Sequence, residues 1–376
     1  KYAIVDEVSD LHNDKIVHVN DVLKTLQDLA SFHREYLGLP IVALTGSNGK
    51  TTTKELINNI LQQRYKTIAT DGNLNNHIGV PLTLLRMTFD TEIGIVEMGA
   101  NHAKEIKLLC DIAKPNVGYI TNFGKAHLEG FGSEQGVLLA KSELYDYLKA
   151  IEGLIVVNLD DYKQLNQVGE YSNIFSFSES KQSSVNISLL ESQPFLNVSF
   201  SDTKIKTNLV GVYNFHNIAA ALAVGVYFKL TPQQLKIGIE NYVSSNNRSQ
   251  IIKQKSNQIL LDAYNANPSS MKVALENFKL IQNSNKLAIL GDMFELGATS
   301  AKEHLLIINQ AILTKGCMFY FVGSHFFEEK IPHSTFLFFE TFELLQSHLK
   351  KTTISDTYIL VKGSRGMALE RILELI

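Results

Sequence analysis

The sequence predicts an α/β protein with a mainly parallel central sheet, an antiparallel sheet added to it, and a second α/β domain behind a short linker. Three observations carry this. Short apolar runs alternate with helical periodicities between residues 41 and 157, residues 173 to 208 change to the alternating pattern of antiparallel strands, and strand–helix alternation resumes after the polar break at 244 to 249.

Taken in order, residues 2 to 6 (YAIVD) and Lys15 to Val19 read as strands. Asn20 to Tyr36 reads as a helix with Leu23, Leu26, Leu29, Ala30 and Phe32 on one face, stopped at Gly38. A chain that opens on a strand is expected to begin inside a domain, so residues 1–38 are expected to be the end of one. Strands follow at Ile41 to Leu44, 65 to 69, 93 to 98, 117 to 121 and 154 to 157, with helices after Lys50, after His77 and from His102. VNISLL, FLNVSF and TKIKTNL supply the antiparallel strands, and helices at 214 to 230 and 232 to 243 close a domain expected to span 39–245. Beyond the linker, ILLDAYN, KLAILGD, CMFYFVG, TFLFF and TYILVKG are strands of a domain expected over 246–376, one of whose helices is expected to open on a capping box from Ser300 to Glu303. Two such units face each other across a cleft in the expected arrangement.

Composition narrows the function. With 45% apolar and 19% charged residues and a net charge of -3, the chain lacks the basic field that nucleic-acid binding needs. Cys110 and Cys317 stand apart, without a CxxC or Cys/His cluster, which fits a reducing cytoplasm and argues against disulfides or structural zinc. The most apolar stretch, Ile218 to Leu230, is shorter than the ~20 residues that cross a bilayer, so no membrane insertion is expected.

The chemistry concentrates at a few places. Thr45-Gly46-Ser47-Asn48-Gly49-Lys50-Thr51-Thr52 joins a strand to a helix, where backbone amides and the helix dipole can hold phosphates. Lys50 would reach the terminal phosphates and Thr51 would offer a hydroxyl to Mg2+. The generic GxxxxGK[ST] spacing calls for glycine at 44, where Leu44 stands. Read on residues alone, GNLNN at 72 to 76 is a loop that caps the next helix, Glu97 is a strand-end carboxylate, His127 a structural histidine, and Lys141 a helix-surface charge.

Together these segments resemble the Mur ligase family. TGSNGKTTT is similar to its nucleotide loop, and DGNLNNHIGVP to a segment of the members that add D-Ala-D-Ala. TNFGKAHLEGFGS, AKSELY, GVYNFHN, NNRS, DAYNANPSSM, LGDMFELG and KGSRG follow in family order. The resemblance implies a P-loop-type central domain, a Rossmann-like C-terminal domain, and an N-terminal UDP-substrate domain of which residues 1–38 would be the remnant. It further implies a cytoplasmic, monomeric enzyme that uses ATP and Mg2+ to ligate D-Ala-D-Ala to UDP-N-acetylmuramoyl-tripeptide.

By the same resemblance, Gly46, Ser47, Asn48, Gly49, Lys50, Thr51, Thr52, Asn214, Asn217, Arg248, Asp262 and Tyr264 would bind ATP. Thr51, Glu97, His127 and Lys141 would hold metal, Lys141 as a carbamate formed from CO2, and with Lys50 and Arg248 they make up the catalytic set. Asn75, Asn76, Asn265, Asn267, Ser269, Lys362 and Arg365 would meet substrate. Two positions depart from the family: Tyr213 replaces a histidine, and Asn247 replaces the glycine before Arg248. A sibling amino-acid ligase, a folylpolyglutamate synthase-like enzyme and a catalytically silent nucleotide-binding scaffold are the competing expectations.

Overall fold

The computed structural model describes residues 2–7 and 14–376. Strands β1 (Ala3–Val5) and β2 (Ile16–His18) form a small parallel pair, and helix Val22–Leu37 follows. Asp21 caps that helix, and Gly38 ends it in the left-handed conformation. Arg34, buried on the helix, donates to the carbonyls of Ala113 and Lys114 and to Asn116 Oδ1, which fastens this segment to the domain behind it.

The large sheet contains β3 (Ile41–Thr45), β4 (Thr67–Ala69), β5 (Ile93–Glu97), β6 (Val117–Ile120), β7 (Leu154–Asn158), β8 (Ile174–Ser178), β9 (Val185–Glu191), β10 (Asn197–Phe200) and β11 (Thr203–Lys206). Its order is β11-β10-β9-β8-β7-β6-β3-β5-β4. Pairing is parallel from β4 through β9, and antiparallel only for β9-β10 and β10-β11. The expected antiparallel strands are therefore the outer end of one continuous sheet. β8 lies in the stretch expected to be antiparallel, but it runs parallel to both its neighbours and makes the join.

Both faces of this sheet are covered, which explains the unbroken apolar runs. Val42, Leu44, Ile95 and Val156 pack on one side with helices Lys50–Leu61, Asn214–Tyr227 and Pro232–Glu240. Ile41, Ala43, Val96 and Ile155 pack on the other, with helices Glu105–Ala113 and Glu134–Ala150. Alternate residues of each strand thus belong to different cores.

The second sheet contains β12 (Gln250–Gln254), β13 (Asn257–Asp262), β14 (Lys286–Gly291), β15 (Met318–Val322), β16 (Phe336–Phe339) and β17 (Tyr358–Lys362), in the order β12-β13-β17-β14-β15-β16. Only β12 runs antiparallel. It is the hairpin partner of β13 and follows directly on the 244 to 249 break, where the sequence predicts no strand. The expected capping box at Ser300 is not formed. Thr299 precedes helix Ser300–Ile312 without a side-chain cap, Ser300 Oγ lies 3.3 Å from His304 Nδ1, and Glu303 reaches Lys125 instead. No helix among the described residues is long and apolar enough to cross a membrane.

Candidate active site

The loop after β3 is built for close approach. Gly46 has φ +141°, and a Cβ there would stand 1.9 Å from Thr121 Oγ1; Gly49 has φ +80°, and a Cβ there would stand 2.5 Å from Asn217 Oδ1. Only glycine fits either place. Ser47 N donates to Asn122 O at 3.0 Å and Asn48 N to Asn122 Oδ1 at 3.1 Å, while Thr121 Oγ1 donates to Asn48 O at 2.6 Å. The loop is fixed before any anion arrives, and helix Lys50–Leu61 points its N-terminus into the space it encloses. Lys50 Nζ donates to Gly46 O at 2.7 Å. Burial lowers the Lys50 pKa, with Glu97 opposing that shift and Arg248 adding to it.

That space is a cavity of about 780 Å3 between the two domains, lined by Ser47 to Thr52, Glu97, His127, Arg248, Asp262 and Asn267 among others. Glu97, at the end of β5, is 1% exposed. Its Oε1 accepts from Asn75 Nδ2 at 2.7 Å, but its Oε2 is buried without a hydrogen-bond partner. An orphaned carboxylate oxygen in a cavity that Thr51 also lines suits a hard divalent cation. Thr51 and Glu97 therefore fit Mg2+. Asn76 also lines the cavity, and its Oδ1 accepts from Ile78 N and Gly79 N at the start of helix Gly79–Leu85.

His127 and Lys141 are placed less directly. His127, in the left-handed conformation at φ +52°, pairs through Nδ1 with the carboxylate of Glu295, which comes from the other domain. The close approach of the His127 imidazole holds the Glu295 carboxyl below its ordinary pKa, against the opposing effect of burial. Lys141 corrects the surface-charge reading, because it is 1% exposed. Its Nζ donates to Ala100 O at 3.1 Å and lies 5.2 Å from the centre of the Phe131 ring. Burial lowers its pKa well below the usual value; Lys50 adds to the shift, and Glu105 and Glu143 oppose it. Ala100 lines the cavity, whereas Lys141 stands behind it and does not itself reach the lining.

Asn214 and Asn217 turn much of their hydrogen bonding inward. Asn217 Oδ1 accepts from Thr53 Oγ1, Asn217 Nδ2 donates to Asn214 Oδ1, and Asn214 Nδ2 donates to Val210 O. Tyr213, the family departure, hydrogen-bonds Ser249 across the domain junction at 2.7 Å, and burial raises its pKa.

On the C-terminal side, Asp262 Oδ2 accepts from Lys362 Nζ at 2.6 Å and Asp262 Oδ1 from Ser249 N at 3.1 Å. The Arg248 guanidinium lies 3.5 Å from the centre of the Tyr264 ring, and its buried Nε has no hydrogen-bond partner. Asn247 has φ +58°, so a position where the family uses glycine is filled by one of the few residues that tolerate this conformation. Asn267 caps helix Pro268–Leu280 and also donates Nδ2 to Asn48 Oδ1 at 2.7 Å, while Ser269 Oγ accepts from Lys125 N at 2.8 Å. Asn265 Oδ1 closes a local turn onto Ala266 N. Arg365 pairs with Glu370 and lies outside the cavity wall.

Two family models match the chain, the Mur ligase middle domain over residues 44–225 and the Mur ligase glutamate ligase domain over 247–365. The chain belongs to the Mur ligase family. This Mur ligase is 34% identical over 375 residues to the UDP-N-acetylmuramoyl-tripeptide--D-alanyl-D-alanine ligase of Bacillus subtilis, covering 96% of this chain and 81% of the relative. It is 33% identical over 380 residues to the Escherichia coli protein of the same name, covering 95% and 81%. Its fold matches a crystal structure of MurF from Acinetobacter baumannii with a TM-score of 0.87 and 30% identity, over 99% of this chain and 83% of that one. MurF ligase from Thermotoga maritima in complex with ADP also gives 0.87, at 26% identity over 100% of this chain and 87% of that one.

Sequence reading gave no role to Asn122, Lys125 or Glu295 as individual residues. Asn122 and Lys125 stand inside the quoted TNFGKAHLEGFGS, but their partners lie 74 and 178 positions away, a distance that local pattern does not carry.

Proposed function

We propose that this Mur ligase joins D-Ala-D-Ala to UDP-N-acetylmuramoyl-tripeptide while splitting ATP to ADP and phosphate. One observation carries the reading. The phosphate loop of one domain and the DAYNANPSS segment of the other line a single cavity and touch directly, Asn267 to Asn48, in a chain whose full-length relatives bear that ligase name.

In the proposed reaction, a carboxylate oxygen of the tripeptide attacks the γ-phosphorus, the bond to the β,γ-bridging oxygen breaks, and ADP leaves. The amine of D-Ala-D-Ala then attacks the acyl phosphate carbon, loses a proton, and displaces phosphate. Lys50, the loop amides and Arg248 would neutralise the charge that builds on the transferring phosphoryl group. Asp262 and Tyr264 would contact the nucleotide from the C-terminal side. Bound Mg2+, held by Thr51 and Glu97, would supply further charge neutralisation on the phosphates.

Lys141 is read here as the carbamate position that the family resemblance implies. Its neutral nitrogen would bond to the carbon of CO2 with loss of one proton, giving an oxygen donor next to His127. Its burial and single hydrogen bond to Ala100 O support a neutral amine. Enclosure between the domains would keep water from the acyl phosphate.

The test is ADP release in the presence of ATP, Mg2+ and UDP-N-acetylmuramoyl-tripeptide, with and without D-Ala-D-Ala. Dependence on the dipeptide is expected. Release driven equally well by a single amino acid would move the chain to a sibling ligase.

A further inference from the structure

We infer that Lys125 is a positioning residue that latches the C-terminal domain onto the phosphate loop. The inference rests on the ligase reading above, but concerns a side chain outside its catalytic cavity. Lys125 belongs to the strip 121–125. One edge of the strip fixes the nucleotide loop: Thr121 Oγ1 and Asn122 Nδ2 donate to Asn48 O at 2.6 and 2.9 Å, and Ser47 Oγ donates to Gly124 O at 2.9 Å.

The other edge grips the second domain. Lys125 N donates to Ser269 Oγ at 2.8 Å, and Lys125 Nζ donates to Glu303 Oε1, also at 2.8 Å. Glu303 sits in the first turn of helix Ser300–Ile312 with its side chain 7% exposed. On the central-domain side, Glu134 Oε1 lies 3.6 Å from the same ammonium. One cation therefore stands between a carboxylate of each domain.

The side chain of Lys125 lines a second cavity, of about 740 Å3, behind the strip; it does not line the one that holds the phosphate loop. It is too far round the strip to act as a phosphate ligand. Its contact is with a nearly buried carboxylate of the other domain, and parting the domains would break this charge-assisted hydrogen bond, which opposes opening. Because the strip also holds Ser47 and Asn48, closure and loop geometry are mechanically one event.

The experiment is a double-mutant cycle on the full 376-residue chain, with D-Ala-D-Ala-dependent ADP release and small-angle scattering in saturating ADP as readouts. Lys125→Met and Glu303→Gln should each lower kcat/KM for ATP by about fivefold to tenfold, and the double variant should lose no more than the worse single. Lys125→Arg should stay within about twofold of the parent, since it keeps the charge. In scattering, both single variants should show a larger radius of gyration than the parent.

Losses that multiply in the double variant, or an unchanged kcat/KM in both singles, would overturn the latch. Should Glu303→Gln fail to fold, Lys125→Met against Lys125→Arg decides by the same two readouts. If the parent shows no dipeptide-dependent ADP release, the ligase reading fails on its own. The latch is then judged by scattering alone, where an unchanged radius in Lys125→Met overturns it.

Discussion

The two walls of the catalytic cavity differ in how their charges are matched. On the central-domain wall, Glu97 buries an oxygen without a partner, Lys50 is desolvated, and Lys141 is a buried amine behind the surface. On the C-terminal wall, Asp262 is paired with Lys362, Asn265 closes its own turn, and Asn267 is spent on a helix cap and on Asn48. Arg248 is the exception, held by the Tyr264 ring and not by hydrogen bonds to its Nε. One wall is electrostatically unfinished, and in the proposed reaction nucleotide and cation would complete it. The other arrives preassembled and adds shape.

Breaking the unfinished wall should cost activity far more than stability. Lys50→Met should lower ADP release on the order of 10³-fold, as loss of a donor aimed at developing charge does, with the melting temperature held within a few degrees. A loss below tenfold would remove Lys50 from the transition state.

Lys141 sharpens the contrast, because its burial gives it a packing role that a surface lysine lacks. Activity should fall about 10²-fold or more in Lys141→Ala, Lys141→Met and Lys141→Arg alike, since none can take up CO2. Urea denaturation should find Lys141→Ala less stable than Lys141→Met by about 2–4 kcal/mol, the difference between leaving a cavity and filling it. Equal stabilities would contradict the buried placement, and full activity in Lys141→Met would end the carbamate reading.

Glu97→Gln should reduce turnover by about 10²-fold yet leave the unliganded chain as stable as the parent or up to ~1 kcal/mol more so, because a buried carboxylate with one oxygen lacking a hydrogen bond is neutralised. Destabilisation by this change would mean the carboxylate serves the fold. On the matched wall the balance should reverse. Asp262→Asn strands the buried Lys362 ammonium and should cost about 2–4 kcal/mol in denaturant titration, with only about a tenfold rise in the KM for ATP.

Asn76→Ala should be the mildest, removing a helix cap worth about 1 kcal/mol and changing KM for the muramoyl peptide by less than about twofold. A tenfold rise in that KM would place Asn76 at the substrate.

The fold was legible where the signal is local. Apolar runs broken by helical periodicity located β3 through β7 and most of the C-terminal strands, because strands covered on both faces are apolar throughout. β8 and β12 escaped because IFSFS and QIIKQ mix polar and apolar residues, and what makes them strands is a neighbour. The capping box at Ser300 failed because Glu303 found a stronger partner in Lys125, a competitor invisible to a four-residue pattern.

The site followed the same rule. The glycines and Lys50 announced themselves, whereas the burial of Lys141 depends on Phe131 and Ala100, and the role of Asn76 depends on which of two adjacent asparagines turns toward the helix.

The contact between Gly49 and Asn217 carries a consequence for the order in which the molecule is completed. The phosphate loop lies between strands finished by residue 120, yet the side chain that fills the space against Gly49, and that holds Thr53 of the following helix, is supplied only by helix Asn214–Tyr227. During synthesis, nearly one hundred residues must emerge after β6 before the loop meets this support, and they include the whole outer end of the sheet. Closure over so long a stretch is slow compared with neighbouring-strand pairing. A nascent chain should therefore possess a recognisable sheet well before it can hold a nucleotide.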